Sequence, residues 1–327
     1  MRRREFIALV GGAMAAGPLA ARAQSSKMPV IGFLNIGSRA AFASFVAAFH
    51  EGLNATGHVE GKNVAIEYRW AEGDYERLRE HAADLVRRQV SVIVATGGTV
   101  SARAAKNATD TIPILFIAGV TPVREGLVAS FSRPEGNATG VSVYTGELVR
   151  KWLELLRELV PAVDKFAVLL NPETPSSQFE RLDAEKAAEG TNLGLTIVEV
   201  SDEGHFEKAF ESVVAAGSGG LIVTADGYFT SKRAQIIQLA ARHKLPTIYP
   251  WREYPMAGGL MSYGPSIKAA YQLVGTYAGR ILSGAKPGDL PVQLPMVFEL
   301  VFNLTAAKAL GLNVSPWLLA RADEVIE

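Results

Sequence analysis

The 327-residue chain contains no cysteine. Disulfides, thiolate nucleophiles, zinc–thiolate centres and lipid attachment through a cysteine are therefore excluded. Charge of one sign is not in excess either, because 33 Lys and Arg stand against 33 Asp and Glu. Neither a nucleic-acid surface nor an anionic-membrane surface is indicated. Histidine is scarce: His50, His58, His81, His205 and His243 have no paired metal-ligand spacing. No apolar run reaches the roughly 20 residues that cross a bilayer as a helix. The catalytic and nucleotide signatures are missing as well. There is no G-x-x-x-x-G-K-[ST], no G-x-G-x-x-G after a strand, no G-x-S-x-G and no H-E-x-x-H. No cofactor or metal is expected.

The first residues have a different character. Arg2-Arg3-Arg4 precedes an apolar run from Phe6 to Ala16, then Pro18 and Ala21-Arg22-Ala23. A basic start, a short apolar centre and an A-x-A site make residues 1–23 an export signal, cleaved near Ala23. Arg3-Arg4-Glu5-Phe6-Ile7 resembles the bacterial twin-arginine signal, with an ordinary Sec signal as the alternative. Without these residues 29 basic side chains face 32 acidic ones, a net charge of −3. A soluble, periplasmic protein stabilised by its core alone is expected.

Beyond the signal, short β-branched runs alternate with amphipathic stretches. The runs are Val30–Leu34, Val64–Trp70, Val90–Ala95, Ile112–Ile117, Gly140–Tyr144, Phe166–Leu170, Thr196–Val200, Gly220–Thr224, Thr247–Tyr249 and Leu260–Tyr263. Several are apolar throughout, as parallel strands covered on both faces are. Between them, Phe42, Phe45, Val46, Phe49 and Leu53 recur at helical spacing, and Leu148, Trp152, Leu155, Leu156 and Leu159 do the same. The alternation predicts an α/β fold with two parallel sheets of about five strands each. A long helix is expected from Ser266 to Leu282, followed by a Pro/Gly-rich connection.

In parallel sheets ligands meet the carboxyl ends of strands, beside helix N-termini whose first N–H groups have no partner within the helix. Those ends here include Gly37-Ser38, Thr96-Gly97-Gly98-Thr99, Tyr144, Asp226-Gly227-Tyr228-Phe229 and Tyr249-Pro250-Trp251. Gly98 and Thr99, with Thr96, could hold a carboxylate on backbone N–H groups and hydroxyls. Alternatively, the glycines only turn the chain and Thr99 is an N-cap. Asp226 could meet a cation or could cap the helix after it, and Tyr228 and Phe229 could wall a pocket or fill a core. Gly37, Ser38, Tyr144 and Tyr249 complete the candidate ligand set. Anion site, cation site and aromatic wall together describe an aromatic or otherwise apolar amino acid. No second carboxylate is placed beside Asp226 by the sequence, so binding is expected and catalysis is not.

At this point the chain resembles the bacterial ABC-transporter substrate-binding proteins of the tryptophan/tyrosine-type branch, within the type I periplasmic binding fold. The resemblance runs from about Met28 to the C-terminus. It is carried by VIVATGGTVSARAAKNAT (92–109), RPEGNATGVS (133–142), RHKLPTIYPWREYPMAGGLMSYGPS (242–266), GRILSGAKPGDLPVQLP (279–295) and the stretch from Phe298 to Glu327. It implies two Rossmann-like lobes joined by three hinge crossings, near 139–146, 257–262 and 286–291. One lobe would comprise residues 24–141 plus 262–287, and the other 142–261 plus 288–327. It further implies a monomer that hands its ligand to a membrane ABC permease and its ATPase, with Gly98 and Thr99 on the ligand carboxylate and Asp226 on its ammonium. Family members often carry Asp-Pro-Phe-Phe where this chain has Asp226-Gly227-Tyr228-Phe229, and Asp-Pro-Val where it has Thr121-Pro122-Val123. A ligand-sensing module of a signalling system is the alternative function, and an exported hydrolase or isomerase on the same scaffold a more distant one.

Overall fold

Runs of Val, Ile and Leu that can be buried on both faces form the centre of two sheets. The computed structural model describes residues 28–119, 121–143, 145–174, 176–295 and 297–327. The expected export signal (1–23) and Tyr144 lie outside the described residues. The first sheet is parallel, in the order β2-β1-β3-β4-β5. Its strands are β1 (Val30–Asn35), β2 (Ala65–Trp70), β3 (Val92–Thr96), β4 (Ile114–Ala118) and β5 (Ala138–Ser142). The second sheet has the order β12-β11-β10-β9-β8-β6-β7, with one antiparallel pair, β10–β11. It consists of β6 (Lys165–Leu170), β7 (Gly194–Glu199), β8 (Leu221–Val223), β9 (Thr247–Tyr249), β10 (Met261–Pro265), β11 (Phe298–Asn303) and β12 (Glu324–Ile326).

Helices cover both sheets. Around the first lie α1 (Arg39–Asn54), α2 (Tyr75–Arg87) and α3 (Thr99–Ala108). The second carries α4 (Val149–Leu159), α5 (Ser177–Ala188), α6 (Phe206–Ala215), α7 (Gly227–Ser231), α8 (Arg233–Arg242), α9 (Glu253–Met256), α11 (Leu304–Ala309) and α12 (Pro316–Leu319). Helix α10 (Ile267–Leu282) follows β10 but packs on α1, against the first sheet. Glycine makes that packing possible. A Cβ at Gly52 would lie 1.8 Å from the Gln272 carbonyl oxygen, and one at Gly275 would lie 2.1 Å from that of Phe49. Side-chain caps fix the helix starts, with Ser38 accepting from the Ala41 N–H, Asp74 from Arg77 and Ser266 from Ala269. Among the described residues no helix is long and apolar enough to cross a membrane.

Two boundaries differ from expectation. Residues 262–265 run in the second sheet, because β10 pairs with β9 and β11. Residues 288–293 stay with the first, because Gln293 N–H donates to Gly140 O, Gln293 O accepts from Ser142 N–H and Leu290 O accepts from the Thr139 hydroxyl. The chain thus passes between the sheets after β5, after β10 and between Gln293 and β11.

The two lobes touch. Ser38 N–H donates to Ser231 Oγ at 3.2 Å, and Arg233 Nη1 donates to Ala41 O at 2.8 Å. Arg124 lies 3.4 Å over the Phe179 ring. A Cβ at Gly227 would fall 1.8 Å from Gly97 O. This is a closed arrangement.

Candidate functional site

Strand β3 ends at Thr96, and the next two residues carry the chain into α3 with φ of 82° at Gly97 and 107° at Gly98. Both angles lie where a side chain is strained, so glycine is required. Gly98, and not Thr99, holds the N-cap position, with no side chain capping the helix. Gly98, Thr99 and Val100, at the start of α3, border the gap between the lobes, and no side chain caps the N–H groups there. Behind them Thr96 is fully buried, and its hydroxyl accepts from Asn35 Nδ2 at 2.9 Å. The Asn35 amide oxygen accepts from Gly37 N–H at 2.7 Å. Thr96 and Asn35 therefore shape the turn from inside the lobe.

Opposite them, β8 ends at Val223 and the chain reaches Asp226, which caps α7. Asp226 Oδ1 accepts from Phe229 N–H at 2.8 Å and from Asn171 Nδ2 at 3.3 Å. The same Asn171 amide donates to the Tyr75 hydroxyl of the first lobe at 2.8 Å. Burial pushes the Asp226 carboxyl up, and these hydrogen bonds pull it back.

Asp226 and Gly98 face each other across one cleft. Its larger part, a narrow cavity of about 40 Å³, has walls of Phe42, Phe45, Trp251, Ile267 and Tyr271. A smaller, polar part of about 10 Å³ is bounded by Thr99, Thr174 and Ser176. Gly98, Gly119, Ala225, Asp226 and Gly227 border both. One end of the cleft offers hydroxyls, free N–H groups and a carboxylate, and the other offers aromatic faces.

Among the sequence-predicted residues, Gly98, Thr99 and Asp226 come together at this cleft. Gly37 and Ser38 lie where the lobes meet, at Ser231. Tyr228 and Phe229 lie off the cleft wall. Their rings pack on Phe206 at 6.1 and 5.9 Å, and Tyr228 also covers Gly73 of the first lobe. The reason is the cap at Asp226, which turns the next residues of α7 into the core of the second lobe. Tyr249 stacks on Tyr254 at 4.5 Å and borders a separate cavity beside α8 and α11. Sequence reasoning missed Phe42, Phe45, Ile267 and Tyr271, whose helical stripes read as core, and Thr174 and Ser176 in a loop. Trp251 was present in the strand-end list without being singled out.

Comparison with known proteins agrees with this architecture. The chain is 28% identical over 292 residues to a "tyrosine-binding protein" of Clostridioides difficile strain R20291, covering 89% of this chain and 84% of that one. A conserved domain protein of Vibrio cholerae superposes with a TM-score of 0.84 at 27% identity, over 91% of this chain and all of that one. An ABC domain from Streptococcus pneumonia, solved in complex with L-Trp, superposes at 0.83 with 23% identity, over 92% and 100%. The fold is that of type I periplasmic binding proteins. Residues 22–326 match the ABC transporter substrate binding protein family, and to that family the chain belongs.

Proposed function

We propose that the protein captures an α-amino acid with an aromatic or apolar side chain between its lobes. It then presents that ligand to a membrane ABC permease and its ATPase, after export to the periplasm. The observation that carries this reading is the polarity of the single cleft, with α3 N–H groups and Asp226 at one end and Phe42, Phe45, Trp251 and Tyr271 at the other. A zwitterion needs both of its charges met, because burying either alone costs several kcal/mol. The free N-terminus of α3 suits the carboxylate and Asp226 the ammonium. The tyrosine-binding relative and the L-Trp-bound structure support an aromatic amino acid as the ligand. Lobe closure is a hinge motion at the three crossings, and the closed form is what the permease reads.

The test is thermal melting with a panel of aromatic and branched amino acids. A ligand at about 100 times its Kd stabilises by roughly 2.7 kcal/mol, a rise of several degrees. Asp226→Asn is the informative variant, since asparagine still accepts from Phe229 N–H and keeps the cap, whereas alanine would also cost about 1 kcal/mol of helix stability. Wild type should respond to at least one amino acid and Asp226→Asn should not. A full response in Asp226→Asn would remove the ammonium assignment.

A further inference from the structure

Asp226 is tied to the opposite lobe through one side chain. In the second sheet β6 pairs with β8, Leu169 standing opposite Val223. Asn171 and Asp226 therefore leave neighbouring strand ends, and Asn171 is 1% exposed. Its amide is held in one orientation, because Asn171 Oδ1 accepts from Glu173 N–H at 3.1 Å. The two Nδ2 protons then point the other way. One goes to Asp226 Oδ1 at 3.3 Å and the other to the Tyr75 hydroxyl at 2.8 Å. Asn171 has no further proton to give. The Thr174 hydroxyl donates to Asn171 O at 3.1 Å, so the loop at the polar end of the cleft is built on the same residue.

Tyr75 reaches Asn171 from the first lobe. It is the first residue of α2, whose start is fixed by Asp74 accepting from Arg77 N–H at 3.0 Å. Just before it the chain turns through positive φ, 54° at Glu72 and 87° at Gly73. Gly73 lies under the Tyr228 ring, where a Cβ would come within 2.8 Å. This one turn of chain thus meets the second lobe twice, at Tyr228 by packing and at Asn171 by a hydrogen bond. When the lobes part, Tyr75 is withdrawn and water can take the Asn171 proton. If the lobes close on a ring that lacks the hydroxyl, the proton is buried and unmet, which is the costly case for a polar group.

We propose that Tyr75 and Asn171 are positioning residues for ligand capture. Asn171 aims the Asp226 carboxylate at the ligand ammonium, and Tyr75 completes the bonding of Asn171 only when the lobes are closed. Asn171 and Phe229 N–H both engage Oδ1 of Asp226, which leaves Oδ2 to the ammonium. A ligand on Asp226 and a closed cleft favour the same placement of the Asn171 amide, so each reinforces the other. The proposal rests on the amino-acid reading above and adds a kinetic consequence. Association begins in the open protein, where Tyr75 is not engaged. Dissociation requires the Tyr75–Asn171 bond to break. The pair therefore sets how long the ligand stays.

The test is Tyr75→Phe, which removes one oxygen and keeps the ring. Leaving a buried donor unmet should lower the ratio of closed to open protein by roughly five- to hundredfold. Dyes on Glu80→Cys and Glu185→Cys, exposed positions of α2 and α5, report closure by energy transfer in a chain with no other cysteine. With L-tyrosine and L-tryptophan as probes, rapid mixing should show Tyr75→Phe releasing ligand faster by that factor, with association nearly unchanged. In an Asn171→Ala background Tyr75→Phe should have no further effect, because no amide proton is left to meet. Wild-type release from Tyr75→Phe, or an equal loss in the Asn171→Ala background, would overturn the proposal. So would slower association with release unchanged, the mark of a purely structural residue. If Asn171→Ala does not fold, the rates of Tyr75→Phe alone decide. The ligand-free proteins supply an independent arm, in which Tyr75→Phe should have the smaller closed fraction. Equal closed fractions would refute the contact and leave the amino-acid reading intact. Failure of both probes to bind either protein would defeat that reading, and the ligand-free closed fractions would then decide the role of Tyr75.

Discussion

Replacing Gly227 by alanine should hold the lobes apart without unfolding either one. The added Cβ would lie 1.8 Å from Gly97 O, where ordinary van der Waals contact begins at 3.4 Å, so the walls must part by about 1.6 Å. Gly227 itself does not have a positive φ, so alanine is not strained by its own backbone. The clash comes entirely from the opposite lobe, and α7 keeps its Asp226 cap. A gap of that size stretches the Ser38–Ser231 bond beyond hydrogen-bonding range and leaves a bridging ligand able to satisfy one wall at a time. Losing the charged hydrogen bonds at one end costs about 1.5–3 kcal/mol, which is roughly a ten- to hundredfold loss of affinity. The assay pairs calorimetry using the best amino acid with small-angle scattering. Gly227→Ala should melt like wild type without ligand, bind more weakly and stay more extended at saturation. Wild-type affinity and compaction would show that the Gly97–Gly227 contact does not limit closure.

Two further substitutions probe a buried carboxyl and a helix–helix contact. Glu253 is 9% exposed and, among the described residues, neither of its carboxylate oxygens meets another residue's hydrogen-bond donor. Burial raises its pKa against the pull of its own backbone N–H and of Lys268, Arg252 and Arg233, so its ionisation destabilises the folded state as pH rises above the ordinary carboxylate range. Glu253→Gln should therefore melt about 2–8 °C above wild type near neutral pH, the equivalent of roughly 1–2 kcal/mol, and the gap should close on acidification; a pH-independent gap would refute this. Gly275→Ala raises helix propensity yet places a Cβ 2.1 Å from Phe49 O and 2.8 Å from Leu53 N. Urea unfolding should show a loss of about 1–3 kcal/mol, where propensity alone would give a gain of up to about 1 kcal/mol.

The sequence made the central strands legible because a parallel strand covered on both faces must be apolar throughout, as β3 and β4 are. Strands β11 and β12 escaped notice for the converse reason. β12 has only three residues, none fully buried, at the edge of its sheet, and β11 starts exposed. The strand-end rule led to Gly98 and Asp226 because both follow directly from β-strands. It failed at Tyr228 and Phe229 because one capped helical turn rotates successive side chains away from the strand axis. Phe42, Phe45 and Tyr271 were out of reach. A helical stripe looks the same whether it ends in a core or extends into a cleft.

The placement of α10 on α1 also governs the order in which this chain can fold. The first strand of the first lobe starts at Val30, yet the helix that covers α1 ends at Leu282, and the edge beside β5 is completed only by Gln293. While the chain grows from its N-terminus, Phe45 and Phe49 have no Tyr271 or Gly275 to pack against until nearly all of it has been synthesised. The second lobe is completed later still, because β11, β12, α11 and α12 all follow Gln293, so the earlier-made lobe must wait with apolar surface exposed while the other is also unfinished. Contacts between residues more than 200 positions apart impose a large loop-closure entropy and slow the final step. A nascent chain of this kind needs protection from aggregation for most of its synthesis, and a fragment ending at residue 143 would not stand as a lobe.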